Sequence, residues 1–184
     1  HGRNKQKLDK AAALIRKITP AALIDIYLAD LSSFSDLNLL TNAILQEHSE
    51  IDVIINNAGI LKTAQVTTKD RLDVRFVVNT FAPVVITQTL LQILSDDGRI
   101  VNLSSAAQAP IDIAALVGEK ALNDDFQAYA QSKLALTVWS NYLAKSLKPQ
   151  QVSVAVNPGS LLASKMVKIA DAGFRDAYHT IGNY

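Results

Sequence analysis

Short apolar runs alternate along this chain with longer segments of helical periodicity, and few folds accept that order. Helices are predicted at residues 4–18, 33–48, 68–94 and 124–147, and strands at 23–29, 51–56, 99–103 and 151–156. Strands and helices that alternate in this way form a parallel sheet, which needs helices on both faces to bury it. The sequence therefore predicts an α/β fold with a doubly wound parallel sheet, and the third helix is expected to bend near Pro83.

The composition excludes several classes of function. The chain has 18 basic and 17 acidic residues, so its net charge of +1 provides no broad field for nucleic acid or a membrane surface. It has no cysteine, which excludes disulfides and thiolate metal sites and agrees with a cytoplasmic setting. Its three histidines are dispersed and lack carboxylates at ligand spacing, so no metal site is predicted. A domain that acts on small molecules is the expectation.

The chain length and its apolar segments bear on domain organisation. The 184 residues, about half of them hydrophobic, are expected to form a single domain spanning residues 1–184. The longest apolar stretch, residues 76–94, is interrupted by polar residues and a proline, which favours a buried helix over a membrane span. The chain begins at His1, so an N-terminal targeting segment of a longer parent would not be visible.

Polar residues follow the predicted strands at the points where the strands end. The segments concerned are Asp30-Leu31, Asn57-Ala58-Gly59, Ser104-Ser105 and Asn157-Pro158-Gly159. In open α/β sheets, ligands bind beyond the carboxyl ends of the strands. The sequence therefore predicts one crevice lined by these four segments.

Tyr129 and Lys133 are four residues apart in a predicted helix and should share one of its faces. A free tyrosine titrates at about pH 10, but a neighbouring ammonium group favours the phenolate and lowers the pKa of the phenol. Such a pair can give or take a proton when a carbonyl is reduced or an alcohol is oxidised. The same spacing also occurs in ordinary surface pairs on amphipathic helices.

The motifs Asn56-Asn57-Ala58-Gly59, Ser105, Tyr129-x-x-x-Lys133 and Pro158-Gly159 occur in an order that resembles the short-chain dehydrogenase/reductase superfamily. The resemblance covers nearly the whole chain, and residues 78–83 look most like the retinol-dehydrogenase-like branch. It implies a Rossmann-like NAD(P)-binding domain and an oxidoreductase that transfers hydride between a nicotinamide and a carbonyl or alcohol substrate. The family's N-terminal strand, its glycine-rich loop and its C-terminal strand are not found here, so the chain is expected to be truncated at both ends.

The resemblance assigns four residues to catalysis. It makes Tyr129 the general acid/base, while Lys133 lowers the pKa of Tyr129 and binds the nicotinamide ribose. Ser105 would polarise the substrate oxygen, and Asn79 would help to hold a water relay to the lysine. Judged without the resemblance, Ser105 could be a strand-end turn residue and Asn79 a helix-kink residue beside Pro83.

The resemblance also assigns a nucleotide site. Asp30 would accept a hydrogen bond from the adenine amino group, with Leu31 packing nearby. Asn57, Ala58 and Gly59 would let the cofactor approach the backbone closely. Pro158-Gly159 and residues 160–162 would form the wall against the nicotinamide. Each of these segments could instead be an ordinary turn.

Cofactor preference is predicted from Arg3. An acidic residue at the end of the second strand binds a ribose 2′-hydroxyl, whereas arginine accommodates a 2′-phosphate. The segment His1-Gly2-Arg3-Asn4 has no acid. NADP(H) is therefore preferred, with NAD(H) as the alternative, although a lone arginine at a helix start is often only a solvated charge.

Three further expectations concern the substrate and the partners. Residues 106–127 are expected to form a substrate-side flap, and residues 165–184 a lid helix, both apolar enough to favour a hydrophobic substrate. Ala163 stands where the family often has a threonine for the carboxamide, so Ser160 or Ser164 would substitute. The long helices starting at residues 68 and 124 would pair in a homodimer or homotetramer. The competing hypothesis is a catalytically silent nucleotide-binding or scaffold protein of the same fold.

Overall fold

The computed structural model describes residues 1–159, and its central feature is a sheet of three parallel strands. The strands are β1 (Ile51–Asn56), β2 (Leu94–Leu103) and β3 (Val152–Val156), adjacent in that order. The register pairs Asn56 with Asn102 on β2, and Leu103 with Val156 on β3. The carboxyl ends of all three strands therefore lie side by side at one edge of the sheet.

Most of the helices in the described residues begin directly after a capping residue. They are α1 (Lys5–Ile18), α2 (Phe34–Glu47), α3 (Val74–Phe76), α4 (Ala82–Leu90), α5 (Ile113–Leu116) and α6 (Asp125–Ala144). Five of them start after an Asn, Ser or Asp whose side chain accepts a backbone N–H of the first turn, as Asn4 and Ser33 do. Such caps satisfy amide groups that have no partner within the helix.

Helices α4 and α6 pack against one face of the sheet. The contact is an apolar cluster of buried residues, Ile54, Leu90, Leu94, Ile100 and Leu143. A second cluster, which includes Leu31, Leu37 and Val78, packs α2 against the helix that contains α4. A parallel sheet flanked by helices in this way confirms the predicted Rossmann-like α/β class.

The bend expected near Pro83 takes the form of a π turn, Val77–Phe81, between α3 and α4. The N–H of Ala82 bonds the carbonyl of Val77, five residues earlier, in place of the usual partner four residues earlier. Pro83 has no N–H and cannot continue the regular pattern, which accounts for an irregular turn at this point. A 3₁₀ turn, Leu91–Ile93, then leads into β2.

Several predicted element boundaries were wrong. The predicted strand at 23–29 is reduced to a single parallel bridge between Gly2 and Leu28, because within residues 1–159 only this short segment offers it backbone partners. The helix predicted from residue 68 begins at Val74, since the preceding residues form a bridged turn between Thr67 and Asp73. Strand β2 begins at Leu94, five residues before the predicted start.

Among the described residues, one helical stretch, Val74–Ile93, is long and apolar enough by length and composition to cross a membrane. Half of its most apolar window is buried inside the fold. Core helices of soluble proteins meet the same criterion, so this stretch is weak evidence for a span. Its packing between α2 and the sheet fits the buried helix that the sequence predicts.

Candidate active site

Tyr129 and Lys133 lie one turn apart on α6, and both are buried. Tyr129 is 4% exposed and Lys133 is 3% exposed. The Lys133 Nζ is 5.7 Å from the centroid of the Tyr129 ring. The two side chains are therefore neighbours in the interior, and the alternative of an ordinary surface pair does not apply.

The ammonium group of Lys133 is held by the end of β2. Its Nζ donates a hydrogen bond of 2.6 Å to the carbonyl oxygen of Leu103. Burial disfavours the charged form and lowers the pKa of Lys133 to about 8. A lysine with this pKa can exchange a proton near physiological pH.

Asn79, in the π turn, is fully buried and its amide is occupied. Its Oδ1 accepts the backbone N–H of Ile60 at 2.8 Å, and its Nδ2 donates to the carbonyl of Ile60 at 2.9 Å. Nδ2 also donates to the hydroxyl of Ser132 at 2.9 Å. Asn79 therefore fastens the loop after β1 to the helix that carries Tyr129.

Gly59 brings this loop close to the lysine. A Cβ placed at Gly59 would lie 3.4 Å from the Nζ of Lys133 and 3.5 Å from the Oδ1 of Asn79. These distances are ordinary van der Waals contacts, so the backbone of Gly59 lies directly beside both groups. The end of β1 and the Tyr129–Lys133 pair thus belong to one cluster.

The two serines at the end of β2 have different surroundings, and both are buried. The hydroxyl of Ser104 lies 2.6 Å from the hydroxyl of Thr137 and donates to the carbonyl of Lys133 at 3.2 Å, which ties β2 to α6. The hydroxyl oxygen of Ser105 accepts the N–H of Ala107 at 3.1 Å, in a local turn. Ser105 therefore stands at the junction of β2 and the following flap.

A cavity of about 830 Å³ lies beside β1 and collects most residues predicted to bind a nucleotide. Its lining includes Arg3, Asp30, Leu31, Asn57, Ala58 and Gly59. Ser105, Tyr129, Lys133, Pro158 and Gly159 do not line it. Gly59 lines the cavity and also lies beside Lys133, so it joins the two groups of predicted residues.

Arg3 and Asp30 face each other at this cavity, with their nearest side-chain atoms 3.6 Å apart. Burial alone would raise the pKa of Asp30, but hydrogen bonds from Ser32 and the charge of Arg3 outweigh it and lower that pKa. The Arg3 side chain is 66% exposed. Its guanidinium group therefore remains accessible to a ligand. Leu31, by contrast, is part of the apolar core.

Pro158 and Gly159 follow β3 and are exposed. Gly159 has a φ of 76°, and its N–H bonds the side chain of Asn157 at 3.2 Å, so the segment forms a turn. β3 is adjacent to β2, which brings this turn to the same edge of the sheet as Ser105. The predicted wall at 160–162, Ser160, Ala163, Ser164 and the tail 165–184 lie outside the described residues.

The flap between β2 and α6 contains the short helix α5 and ends at Asp124. Helix α6 begins at Asp125, one residue after its predicted start, so the last residues of the predicted flap, 106–127, belong to the helix. Gln131 on α6 accepts the N–H of Asp112 at 3.0 Å. Arg75 reaches the flap's other end and bonds the carbonyl of Leu122 at 3.4 Å. The flap is therefore attached to the helices on both sides.

Sequence reasoning missed several residues that organise this cluster. Thr80 donates a hydrogen bond of 2.8 Å to the carbonyl of Ser132, and Arg75 forms ion pairs with Asp73 and Asp125. One signal was available, because polar residues inside an apolar helix, such as Thr80, need a buried partner. Among residues 1–159, no group of three metal-binding side chains could hold a metal ion.

Comparison with known proteins agrees with this geometry. The family model described as short chain dehydrogenase matches residues 1–173. Retinol dehydrogenase 13 of Homo sapiens is 33% identical over 162 residues, which is 85% of this chain and 49% of that protein. Retinol dehydrogenase 12 of Bos taurus is 33% identical over 167 residues, which is 88% of this chain and 52% of that protein.

One solved structure extends the comparison to the fold. The crystal structure of an uncharacterized protein from Mycobacterium Paratuberculosis superposes with a TM-score of 0.73 at 26% identity, covering 99% of this chain and 65% of that one. The chain therefore spans about half the length of the curated relatives it matches. The predicted resemblance to the retinol-dehydrogenase-like branch is confirmed.

Proposed function

Because this chain belongs to the short-chain dehydrogenase family, we propose that it carries the catalytic cluster of an NADP(H)-dependent oxidoreductase with carbonyl and alcohol substrates. The observation that carries the proposal is the buried Tyr129–Lys133 pair, packed beside Asn79 and Gly59 at the carboxyl ends of parallel strands. Buried phenols and lysines with shifted pKa values concentrate at functional sites. This arrangement is hard to explain by stability alone, since burying an ammonium group costs free energy.

The described residues fit a nicotinamide nucleotide. The cavity beside β1 is large enough for part of such a ligand, and Asn57, Ala58 and Gly59 line it. Asp30 and Arg3 would hold the adenosine end, and the exposed guanidinium of Arg3 favours a 2′-phosphate and hence NADP(H) over NAD(H). When bound, the nicotinamide supplies or accepts the hydride.

The chain's own groups would manage the proton. Tyr129 gives its phenolic proton to the substrate oxygen during reduction and takes it back during oxidation. Lys133, when protonated, stabilises the phenolate next to it, and its pKa of about 8 lets it change charge in the working range. Ser105 would donate a hydrogen bond to the same substrate oxygen, where negative charge develops.

Asn79 would support the water relay to Lys133 through its backbone carbonyl group. Both hydrogens of its side-chain amide are donated, to Ile60 and to Ser132, so the side chain has no further hydrogen bond to donate to a water molecule. Pro83 has no N–H, so the carbonyl of Asn79 lacks the donor that a regular helix would supply four residues later. We propose that this carbonyl oxygen holds the water that connects Lys133 to solvent.

The substrate class follows from the relatives and the flap. The relatives are named for retinol, an apolar alcohol. In this chain Ile113 on α5 and Val117, the residue after that helix, are exposed in the predicted substrate-side flap. We therefore expect an apolar aldehyde, ketone or alcohol as the substrate.

The cytoplasm is the expected compartment, and a homodimer or homotetramer would cover exposed apolar residues on α6 such as Val138.

The test is NADPH oxidation by the full-length protein with octanal, benzaldehyde and all-trans-retinal, measured beside Tyr129→Phe. The matched control is Tyr142→Phe, since Tyr142 lies on the same helix and is exposed. Turnover that is lost in Tyr129→Phe and kept in Tyr142→Phe supports the oxidoreductase. NADPH binding without turnover of any substrate by wild type would favour the silent nucleotide-binding or scaffold protein. Turnover that survives Tyr129→Phe would refute the role of Tyr129 as the general acid/base.

A further inference from the structure

Two consecutive residues of the π turn, Asn79 and Thr80, both bond Ser132 on α6. The Nδ2 of Asn79 donates to the Ser132 hydroxyl at 2.9 Å, and the hydroxyl of Thr80 donates to the Ser132 carbonyl at 2.8 Å. The Ser132 hydroxyl in turn donates to the carbonyl of Tyr129 at 2.7 Å. Ser132 thus accepts two hydrogen bonds from the π turn and donates one to Tyr129, the residue predicted to be catalytic.

All three partners are removed from solvent. Asn79 and Ser132 are 0% exposed, and Thr80 is 3% exposed. Water does not compete for hydrogen bonds at such depth, and a lost partner would leave a polar group unsatisfied. One contact between two helices would still allow one to rotate against the other. Two contacts, on the side chain and on the backbone of the same residue, restrict both the rotation and the translation of α6 at this point.

The position of Ser132 makes this constraint relevant to the proposed chemistry. It directly precedes Lys133 and lies three residues after Tyr129 on α6. We propose that Thr80 and Ser132 are positioning residues, which hold α6 in the register that keeps Lys133 against the carbonyl of Leu103 and beside Tyr129. This inference rests on the proposed function. A purely structural role would stabilise the fold without any particular effect on Lys133.

The pKa of Lys133 depends on its burial and therefore on the register of α6. Among the groups that surround Lys133 are Tyr129, which is titratable, and neutral groups of Leu103, Gly59 and Asn79. The pKa of Lys133 is lowered from 10.5 to about 8 by burial. A rotated α6 would admit water around the ammonium group, so its pKa would return toward the ordinary value.

Two variants test the proposal, and the chain offers a matched control for each. Thr80→Val replaces one hydroxyl with a methyl group of similar size, and Ser132→Ala removes the other hydroxyl, so each variant loses a buried hydrogen bond. Thr41→Val is the control for the first, because Thr41 is 1% exposed and its hydroxyl bonds carbonyls within α2. Ser140→Ala is the control for the second, because Ser140 is buried on α6 and bonds Asn102.

The readout is the apparent pKa of Lys133 in the full-length protein, obtained from the pH dependence of its acetylation by acetic anhydride and located by mass spectrometry. We expect the apparent pKa to rise by about one unit in Thr80→Val and Ser132→Ala. It should stay within about 0.3 units of wild type in Thr41→Val and Ser140→Ala. With a turned-over aldehyde, the pH profile of kcat/KM should shift in the same direction.

An unchanged pKa of Lys133 in Thr80→Val, together with a loss of stability equal to that of Thr41→Val, would overturn the proposal. If Ser132→Ala fails to fold, the near-isosteric Thr80→Val decides alone. The labelling experiment does not need turnover. A wild type that reduces no aldehyde while Lys133 shifts as expected would therefore refute the proposed function and leave the positioning role standing.

Discussion

Asn79 and Ile60 form a paired contact in which the amide of a helix residue bonds both backbone groups of a loop residue. The distances are 2.8 Å from the N–H of Ile60 and 2.9 Å to its carbonyl oxygen. The pairing resembles that of a neighbouring strand, since a donor and an acceptor of one residue are satisfied together. It holds the loop after β1 in place, with Gly59 next to Lys133.

The first prediction follows from this contact. Asn79→Ala removes the partner of both backbone groups of Ile60, so the free energy of unfolding should fall by about 2–3 kcal/mol. Urea denaturation measures the change. Asn38→Ala, at an exposed position on α2, serves as the control and should stay within about 0.5 kcal/mol of wild type. Equal effects in the two variants would show that the pairing contributes little.

The sequence predicted those parts of the site that depend on local spacing. Tyr129 and Lys133 share a helix face because four residues make about one turn, and strand ends meet at one edge because the strands are parallel. The starts of α1 and α2 were predictable for the same reason, since Asn4 and Ser33 cap the turns that follow them. Each of these inferences needs only neighbours in the chain.

The rest depended on contacts between distant residues. Nothing local shows that Thr80 meets Ser132, or that Arg75 meets Asp125, because these pairs are brought together by helix packing. The predicted strand at 23–29 failed for a related reason. A strand exists only with its partner, and within the described residues Leu28 pairs with Gly2 alone.

The second prediction concerns the stability cost of Lys133. At pH 7 Lys133 is protonated in both the folded and the unfolded state. Burying its charge therefore lowers the free energy of unfolding at this pH. Between pH 8 and 10.5 the folded state loses its proton first, so this cost fades as pH rises. Lys133→Met should therefore raise the free energy of unfolding at pH 7 by about 1–3 kcal/mol.

The gain from Lys133→Met should shrink through that alkaline range and vanish near pH 10.5. Denaturation curves at pH 7, 9 and 10.5 measure it. The exposed Lys10 provides the control, since Lys10→Met should change stability little and equally at each pH. A pH-independent effect of Lys133→Met would contradict the lowered pKa.

The third prediction contrasts a buried ion pair with an exposed one. Arg75 is 1% exposed and bonds Asp73 at 2.6 Å, with Asp125 as its second partner. Arg75→Met leaves two carboxylates without their cation and should cost about 3–5 kcal/mol. The control is Lys148→Met, because Lys148 pairs with Asp96 at the surface and should contribute less than about 1 kcal/mol. Thermal or urea denaturation of both variants provides the comparison.

The fourth prediction uses the backbone of Arg71, the described non-glycine residue with a left-handed conformation, at a φ of 61°. A Cβ is unfavourable there, so Arg71→Gly should raise the free energy of unfolding by about 0.5–1 kcal/mol. Arg71→Ala keeps the Cβ and should give no gain. Denaturation midpoints decide between them, and an equal gain in both variants would assign the effect to the lost charge.

The fifth prediction concerns cofactor preference. Arg3 is exposed at the cavity and faces Asp30, so Arg3→Glu replaces the proposed partner of a 2′-phosphate with a repelling carboxylate. NADPH should bind about 10- to 100-fold more weakly, which corresponds to the loss of a charge-assisted contact, while NADH affinity changes little. Fluorescence titration of the full-length protein with both nucleotides measures the ratio of the two affinities.

The control is Lys5→Glu, which makes the same change of charge two residues away on α1 and should leave this ratio unchanged. Equal weakening of NADPH in both variants would mean that net charge alone acts, and an unchanged ratio in Arg3→Glu would assign the preference for NADP(H) to other residues.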